Sequence, residues 1–152
     1  MTLWLATDPA LWPAILALLH EAFAGMEGRI DPPSSLRDLT PEALTRQAAA
    51  GEIWGIGAPV ACVFLTPKPR ALYVGKLAVA GSHRGQGLAR RLIDHAEARA
   101  REMRLPVLEL QTRVELLENQ AAFRAMGFRE VGRTAHAGFD RPTSITYRRA
   151  VV

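Results

Sequence analysis

From Ala80 to Leu92 the chain reads AGSHRGQGLARRL, directly after the apolar run ALYVGKLAVA. Two glycines and an arginine stand at the mouth of what reads as a long amphipathic helix. The first amides of a helix have no intrahelical acceptor, and the helix dipole makes that end partly positive. Gly85 and Gly87 clear side chains from the approach, Ala89 keeps the first turn small, and Arg84 adds a full positive charge. Packing alone requires none of this. The chemistry it permits is anion binding, and a diphosphate fits such a cradle.

Three phosphate-binding patterns compete for the stretch. The P-loop needs Gly-Lys-Ser/Thr after its spacer, which is absent. The dinucleotide fingerprint needs a third small residue where Arg90 stands, and it follows the first strand of a doubly wound sheet. The third pattern is Arg/Gln-x-x-Gly-x-Gly/Ala behind a strand ending in Leu-Ala-Val. Here it is Arg84-Gly85-Gln86-Gly87-Leu88-Ala89 behind Leu77-Ala78-Val79.

The elements that must position this loop follow from periodicity. TLWLAT predicts a short strand. Asp8-Pro9 opens a helix with Leu11, Ile15, Leu18, Leu19 and Phe23 at helical spacing, and Pro13 fits its first turn. AGMEGRIDPPSS predicts a loop. Thr40-Pro41-Glu42 has the form of an N-cap with proline in the first helical position, and the helix runs to Ala50. EIWGIG and APVACVFLTP predict two strands joined near Gly57. ALYVGKLAVA is a longer strand in which Gly75 marks a bulge or close approach. In the next helix Leu88, Leu92, Ile93, Ala96, Ala100 and Met103 form the apolar stripe, with Arg90, Arg91, Asp94, Glu97 and Arg101 facing water. PVLELQT is a strand, LLENQAAFRAMG a short helix ended by Gly127, and FREVGRTA and SITYRRAV the closing strands. The order β-α-α-β-β-β-α-β-α-β-β predicts a mixed sheet with helices on its faces.

Composition sets the bounds. A chain of 152 residues with 49% apolar and 22% charged residues is a folded chain, and its length is that of a single domain, 1–152. The net charge of +4 favours anionic partners, but no run of like charges marks a nucleic-acid tail. Interleaved aromatics on a basic stripe are missing, so no nucleic acid is expected. The apolar run LWPAILALL near the N-terminus is too short to span a bilayer and reads as a core helix, so no membrane partner is expected. The one cysteine, Cys62, lies in the apolar run APVACVFL, which predicts a small core residue. A lone cysteine fits a reducing compartment, and a cytoplasmic protein is expected. No His, Cys or Asp cluster has metal-ligand spacing, so no metal is expected.

The motif Arg84 to Ala89, the preceding Lys76-Leu77-Ala78-Val79, the amphipathic helix behind it and the Asn-containing helix ENQAAFRAMGF together resemble the GCN5-related N-acetyltransferase (GNAT) superfamily. The resemblance implies an α/β (α+β mixed-sheet) fold: a mostly antiparallel sheet with one parallel, splayed pair and helices on both faces. It implies an acetyl group moved from acetyl-CoA to a primary amine of a small molecule or peptide. Backbone amides from Gly85 through Gln86, Gly87, Leu88 and Ala89 to Arg90 would hold the diphosphate. Leu77 and Val79, with Ala78 between them, would pair with the pantetheine arm, the Leu77 amide would meet the thioester carbonyl, and Asn119 would touch the arm. Many relatives place a tyrosine on the last helix to protonate the leaving thiolate, and the matching residue here is Phe123, which cannot donate.

A base must help the acceptor amine lose its proton. Glu109, between Leu108 and Leu110 on a strand beside the expected cleft, is the first candidate, with Glu115 and Tyr73 behind it. His136 and Asp140 lie in a loop that could border the acceptor pocket, His83 would flank the phosphates or face solvent, and His20 sits on the first helix. Glu27 and Asp31 could attract a cationic amine, and Arg29 or Arg141 could hold a substrate carboxylate. The resemblance allows a homodimer. The absence of a tyrosine at Phe123 keeps a non-catalytic acyl-CoA sensor as the alternative.

Overall fold

The computed structural model describes residues 1–152. One seven-stranded sheet runs through it. In chain order the elements are β1 (Leu3–Leu5), α1 (Trp12–Phe23), α2 (Pro41–Ala50), β2 (Glu52–Ile56), β3 (Ala61–Pro67), β4 (Leu72–Val79), α3 (Leu88–Glu102), β5 (Val107–Arg113), α4 (Leu117–Ala125), β6 (Arg129–Thr134) and β7 (Ser144–Ala150). The strands lie in the order β1-β2-β3-β4-β5-β7-β6. Every neighbouring pair is antiparallel except β4 and β5. The expected mixed sheet is therefore present, with its element order and its single parallel pair.

β3 shows how the sheet is anchored. Ala61, Val63 and Leu65 enter the core shared with α3, while Cys62 and Phe64 enter the core shared with α1 and α2. A strand covered on both faces must be apolar at every position rather than at alternate ones, which explains the run ACVFL. α3 places Leu88, Leu92, Ile93, Ala96 and Ala100 on one face of the sheet, and α1 places Trp12, Ile15, Leu18 and Leu19 on the other. α2 begins as its sequence predicts, with the Thr40 hydroxyl accepting from the Ala43 amide at 3.2 Å and Pro41 following.

Three details differ from the sequence reading. Helical turns flank α1 on both sides, so the continuous helical stretch Pro9–Met26 is 18 residues, long and apolar enough by composition to cross a membrane. Its buried Trp12, Ile15, Leu18 and Leu19 nevertheless belong to the core beneath the sheet. Glu97 does not face water. It is half-buried and takes Arg149 at 3.0 Å, because α3 lies close enough to β7 for the two to pair. Finally, the irregularity in β4 is centred one residue beyond Gly75. Phe64 pairs with Gly75 and Cys62 with Ala78, so Lys76 and Leu77 together oppose Val63 alone, and Lys76 takes the left-handed φ of 49°. The extra residue restores Ala78 to the face of α1 and pulls the bulge out of the β3 ladder.

Candidate active site

β4 and β5 pair at only two positions, Leu72 with Leu108 and Tyr73 with Glu109. Beyond Tyr73 the strands diverge, and the bulge at Lys76–Leu77 lies at the start of the gap. The Lys76 carbonyl accepts the Cys62 thiol from β3 at 3.7 Å. Across a planar trans peptide the next N–H points the opposite way. The Leu77 N–H therefore points away from the Cys62 thiol.

Two cavities meet at this gap. One, of about 600 Å³, lies at the α3 end and is lined by Leu77, Ala78, Val79, Arg84, Gly85, Gly87, Leu88 and Ala89, with the C-terminal end of α1 and the inner face of α4 opposite. The other, of about 410 Å³, lies over the sheet between α2, the α1–α2 loop and the last hairpin. Phe23, Met26, Leu77, Leu116, Asn119 and Phe123 line both. Leu77, Asn119 and Phe123 thus come together at the junction, although they are far apart in the chain.

At the α3 end the local sequence does what its types suggest. Gly85 and Gly87 adopt φ of 75° and 78°, a region that favours glycine, and a side chain at either would meet nothing within 4 Å. The first backbone bond of α3 runs from the Arg91 amide to the Gly87 carbonyl at 3.0 Å, which leaves the amides of Leu88, Ala89 and Arg90 without intrahelical acceptors. Arg84 donates to the Ala22 carbonyl at 3.0 Å and so ties the loop to the end of α1. Arg29 and Glu118, both on the lining, close across the cavity at 2.6 Å. His83 lines this cavity and shares a hydrogen bond with Ser82, while the side chains of Gln86 and Arg90 stay outside the lining. A diphosphate fits here on the chain's own features: free amides, open space at both glycines, and a guanidinium on the wall.

The structure does not bring Glu109 to either cavity. The residue is only 5% exposed, and its carboxylate is held by Lys68 at 2.8 Å and Arg148 at 2.7 Å. Burial pushes its pKa up, but the hydrogen bonds and charges of Lys68 and Arg148 outweigh this and hold the carboxyl below its usual range. A base so stabilised as an anion is a poor proton acceptor. Glu115 also lies outside, with one oxygen on the Asp31 amide at 3.2 Å. Asp31 itself pairs with Arg141 at 3.2 Å, and neither enters a cavity lining, nor do Glu27, Asp140 or His20.

His136 does line the sheet-side cavity, where its Nδ1 meets the Thr143 hydroxyl. Tyr73 lines it too, with its phenol pushed up first by burial and then by Glu109, and with the Lys68 ammonium 4.5 Å from its ring centre. Two residues that the sequence reading gave no role stand out. Lys76 lines the cavity without an ion pair, and burial, aided by Arg113, depresses its pKa. Arg113 also lines it, donating to the carbonyls of Pro32 at 2.6 Å and Pro33 at 3.2 Å. A lysine inside an otherwise apolar strand beside a glycine was the available signal for Lys76.

The model of the acetyltransferase (GNAT) family matches residues 12–128, most of the chain and every element that lines the two cavities except the last hairpin, which contributes His136 and Ser144. The chain belongs to the GNAT acetyltransferase family. Among curated proteins none matches its sequence. Solved structures of GNAT fold resemble it closely in shape. An acetyltransferase of the GNAT family from Staphylococcus aureus superposes with a TM-score of 0.74 at 15% identity, over 99% of this chain and 100% of that one. An aminoglycoside 6'-N-acetyltransferase complexed with coenzyme A gives 0.76 at 14% identity, over 100% and 98%. A GNAT family acetyltransferase from Elizabethkingia anophelis with acetyl-CoA bound gives 0.69 at 18% identity, over 98% and 97%. At these identities the likeness is one of fold. In this GNAT chain, Phe123 on α4 packs against Phe128 and Tyr147, with ring centres 6.1 Å and 6.3 Å away, and still borders both cavities.

Proposed function

We propose that the protein is an N-acetyltransferase that moves the acetyl group of acetyl-CoA to a primary amine by direct attack, with both substrates bound together. The observation that carries this reading is the meeting of two cavities at the Leu77 bulge. A cosubstrate held at the α3 end and an acceptor held over the sheet would meet at that shared wall.

The amides of Leu88, Ala89 and Arg90 and the end of the α3 dipole hold the diphosphate. The pantetheine arm runs between β4 and β5, where diverging strands leave main-chain groups unpaired, and Asn119 borders it. The Leu77 N–H donates to the thioester oxygen and stabilises the negative charge that builds there as the amine adds. His136 takes the proton. It lies on the acceptor side, and a neutral imidazole is the commonest general base. With the Thr143 hydroxyl directed at the Thr134 carbonyl, 3.3 Å away, Nδ1 donates to Thr143 and Nε2 keeps its lone pair. No donor side chain stands at Phe123, and CoA leaves as a thiolate, tolerable for a thiol of pKa about 8.5.

The test is release of free CoA from acetyl-CoA across a panel of primary amines, with acetylated product identified by mass. Amine-dependent release is expected, together with a fall in kcat on His136→Ala. A second reading has one observation in its favour, the phenylalanine at position 123: a sensor that binds acyl-CoA without turnover. Tight binding of acetyl-CoA with no product from any amine would establish it.

A further inference from the structure

The cavity over the sheet has an unusual charge inventory. Its lining includes Lys76, Arg113 and His136 and not one carboxylate. The acid on the same face of β5, Glu109, is matched by both Lys68 and Arg148, so that cluster adds net positive charge rather than negative. Arg113 is partly balanced from behind by Glu115 and Asp31 and gives two of its N–H groups to the Pro32 and Pro33 carbonyls. Lys76 has neither: it is half-buried, forms no ion pair, and is fixed by the bulge beside the Leu77 junction. A desolvated ammonium without a partner is costly for the empty protein, and an incoming anion relieves that cost.

We propose that Lys76 forms an anion subsite in the acceptor cavity, so that the acceptor is a small amine carrying its own acidic group, a carboxylate or a phosphonate-like anion. This rests on the acetyltransferase reading above and narrows its substrate class. Polar groups on the same cavity lining, among them Ser34, Ser35, Gln111 and Thr112, add further partners for a negatively charged oxygen. The same inventory disfavours the opposite class. A diamine or an aminoglycoside brings extra positive charge into a cavity that holds no carboxylate to receive it. The acidic residues of the α1–α2 loop do not supply one, because Asp31 is paired with Arg141 and Glu27 lies outside the lining.

The experiment has a turnover arm and a binding arm. In the first, kcat/KM is compared for 4-aminobutanoate, 4-aminobutanamide, 3-aminopropylphosphonate and 1,4-diaminobutane. The two anionic amines should exceed the amide by about ten- to a hundredfold, the range of one charged hydrogen bond, and the diamine should be poorest; their ratio separates carboxylate from phosphonate. Lys76→Met should erase the preference through KM, and Lys76→Glu should reverse it toward the diamine, while calorimetry shows acetyl-CoA binding retained. In the second arm, 4-acetamidobutanoate and its amide are titrated into the protein without acetyl-CoA. Carboxylate binding lost in Lys76→Met supports the subsite even if no amine is ever acetylated, in which case only the acetyltransferase reading falls. A preference for the amide or diamine in the native chain, or a carboxylate preference that survives Lys76→Glu, overturns the proposal. So does acetylation of Lys76 itself by acetyl-CoA alone, read as a mass shift on that residue, since the ammonium would then be an acceptor rather than an anion holder.

Discussion

Gly87→Glu is the sharpest test of the diphosphate cradle, because its two consequences separate. Gly87 holds φ of 78° as the N-cap of α3, and nothing lies within 4 Å of where a side chain would start. There is no clash, so the folding cost is that of a left-handed L-residue, about 1–2 kcal/mol. For a domain of this size that lowers Tm by roughly 2–8 °C. Binding suffers more. A side chain there intrudes between the diphosphate and the first amides of α3, and each charged hydrogen bond lost costs about 1.5–3 kcal/mol. The new carboxylate also faces phosphate oxygens, and a like-charge pair near 4 Å at a protein surface repels by up to about 4 kcal/mol before salt screening. Even one lost bond and a screened remnant of the repulsion give about 3 kcal/mol, or a Kd for acetyl-CoA raised on the order of a hundredfold. Calorimetric titration measures this directly, and a thermal melt of the same sample reports folding. Gly87→Ala is the control, with the same backbone strain and no charge, and its affinity should lie between the two. A Gly87→Glu protein that melts as expected but binds acetyl-CoA with native affinity would refute the cradle.

Phe123→Tyr should keep or raise kcat, since the ring already borders the junction and a hydroxyl there would supply the proton donor that phenylalanine lacks; a loss of tenfold or more would show that the position serves packing against Phe128 and Tyr147 alone. Glu109→Gln should leave kcat within about twofold and lower stability by roughly 1–2 kcal/mol, less than a fully buried pair because Lys68 and Arg148 are half in solvent. The native carboxyl is held below its unfolded pKa of about 4.3, so its contribution is complete above that value and is lost as pH falls through the lower folded value. The melting difference between native and Glu109→Gln protein should therefore be full at pH 7 and shrink below about pH 4, and a difference that grows on acidification would contradict the assignment. Burial pushes the Cys62 thiol up to about 12, so Ellman's reagent should find no reactive thiol in the folded protein and one per chain in denaturant; a fast native reaction would mean that β3 is open to solvent.

Much of the fold is legible because it rests on local rules. Thr40-Pro41 caps α2, Gly127 ends α4 at φ of 88°, and the glycine pair before α3 takes the positive φ that its sequence invites. The glycine turn and the start of α3 follow from one continuous stretch, Leu72 to Ala89, and the parallel pair from the strand–helix–strand run that continues to Arg113. What the sequence did not reveal depends on partners brought from far along the chain. Alternation correctly sets Glu109 on a strand beside the cleft, but its chemistry is decided by Lys68, 41 positions earlier, and Arg148, 39 later. Glu97 looks like a solvent residue of α3 until β7 brings Arg149 beside it. Gly75 signals an irregularity, yet whether one or two residues oppose Val63 is a property of the β3–β4 register, which only the folded pair fixes.

The register matters most, because one inserted residue sets several features of the site together. It turns the Lys76 carbonyl toward Cys62 and so sends the Leu77 N–H the other way. It also holds the Lys76 ammonium on the acceptor side, next to the place where charge must change hands. An amine that carries a carboxylate keeps its proton more firmly because of its own negative charge. Pairing that carboxylate with Lys76 cancels the effect and releases the amine for attack. The departing thiolate, with no donor at Phe123, leaves beside a lining that still holds Arg113 and no carboxylate. A cavity of cations over the sheet therefore fits a reaction that begins by removing a proton from one substrate and ends by leaving an anion on the other. A carboxylate lining would oppose both steps.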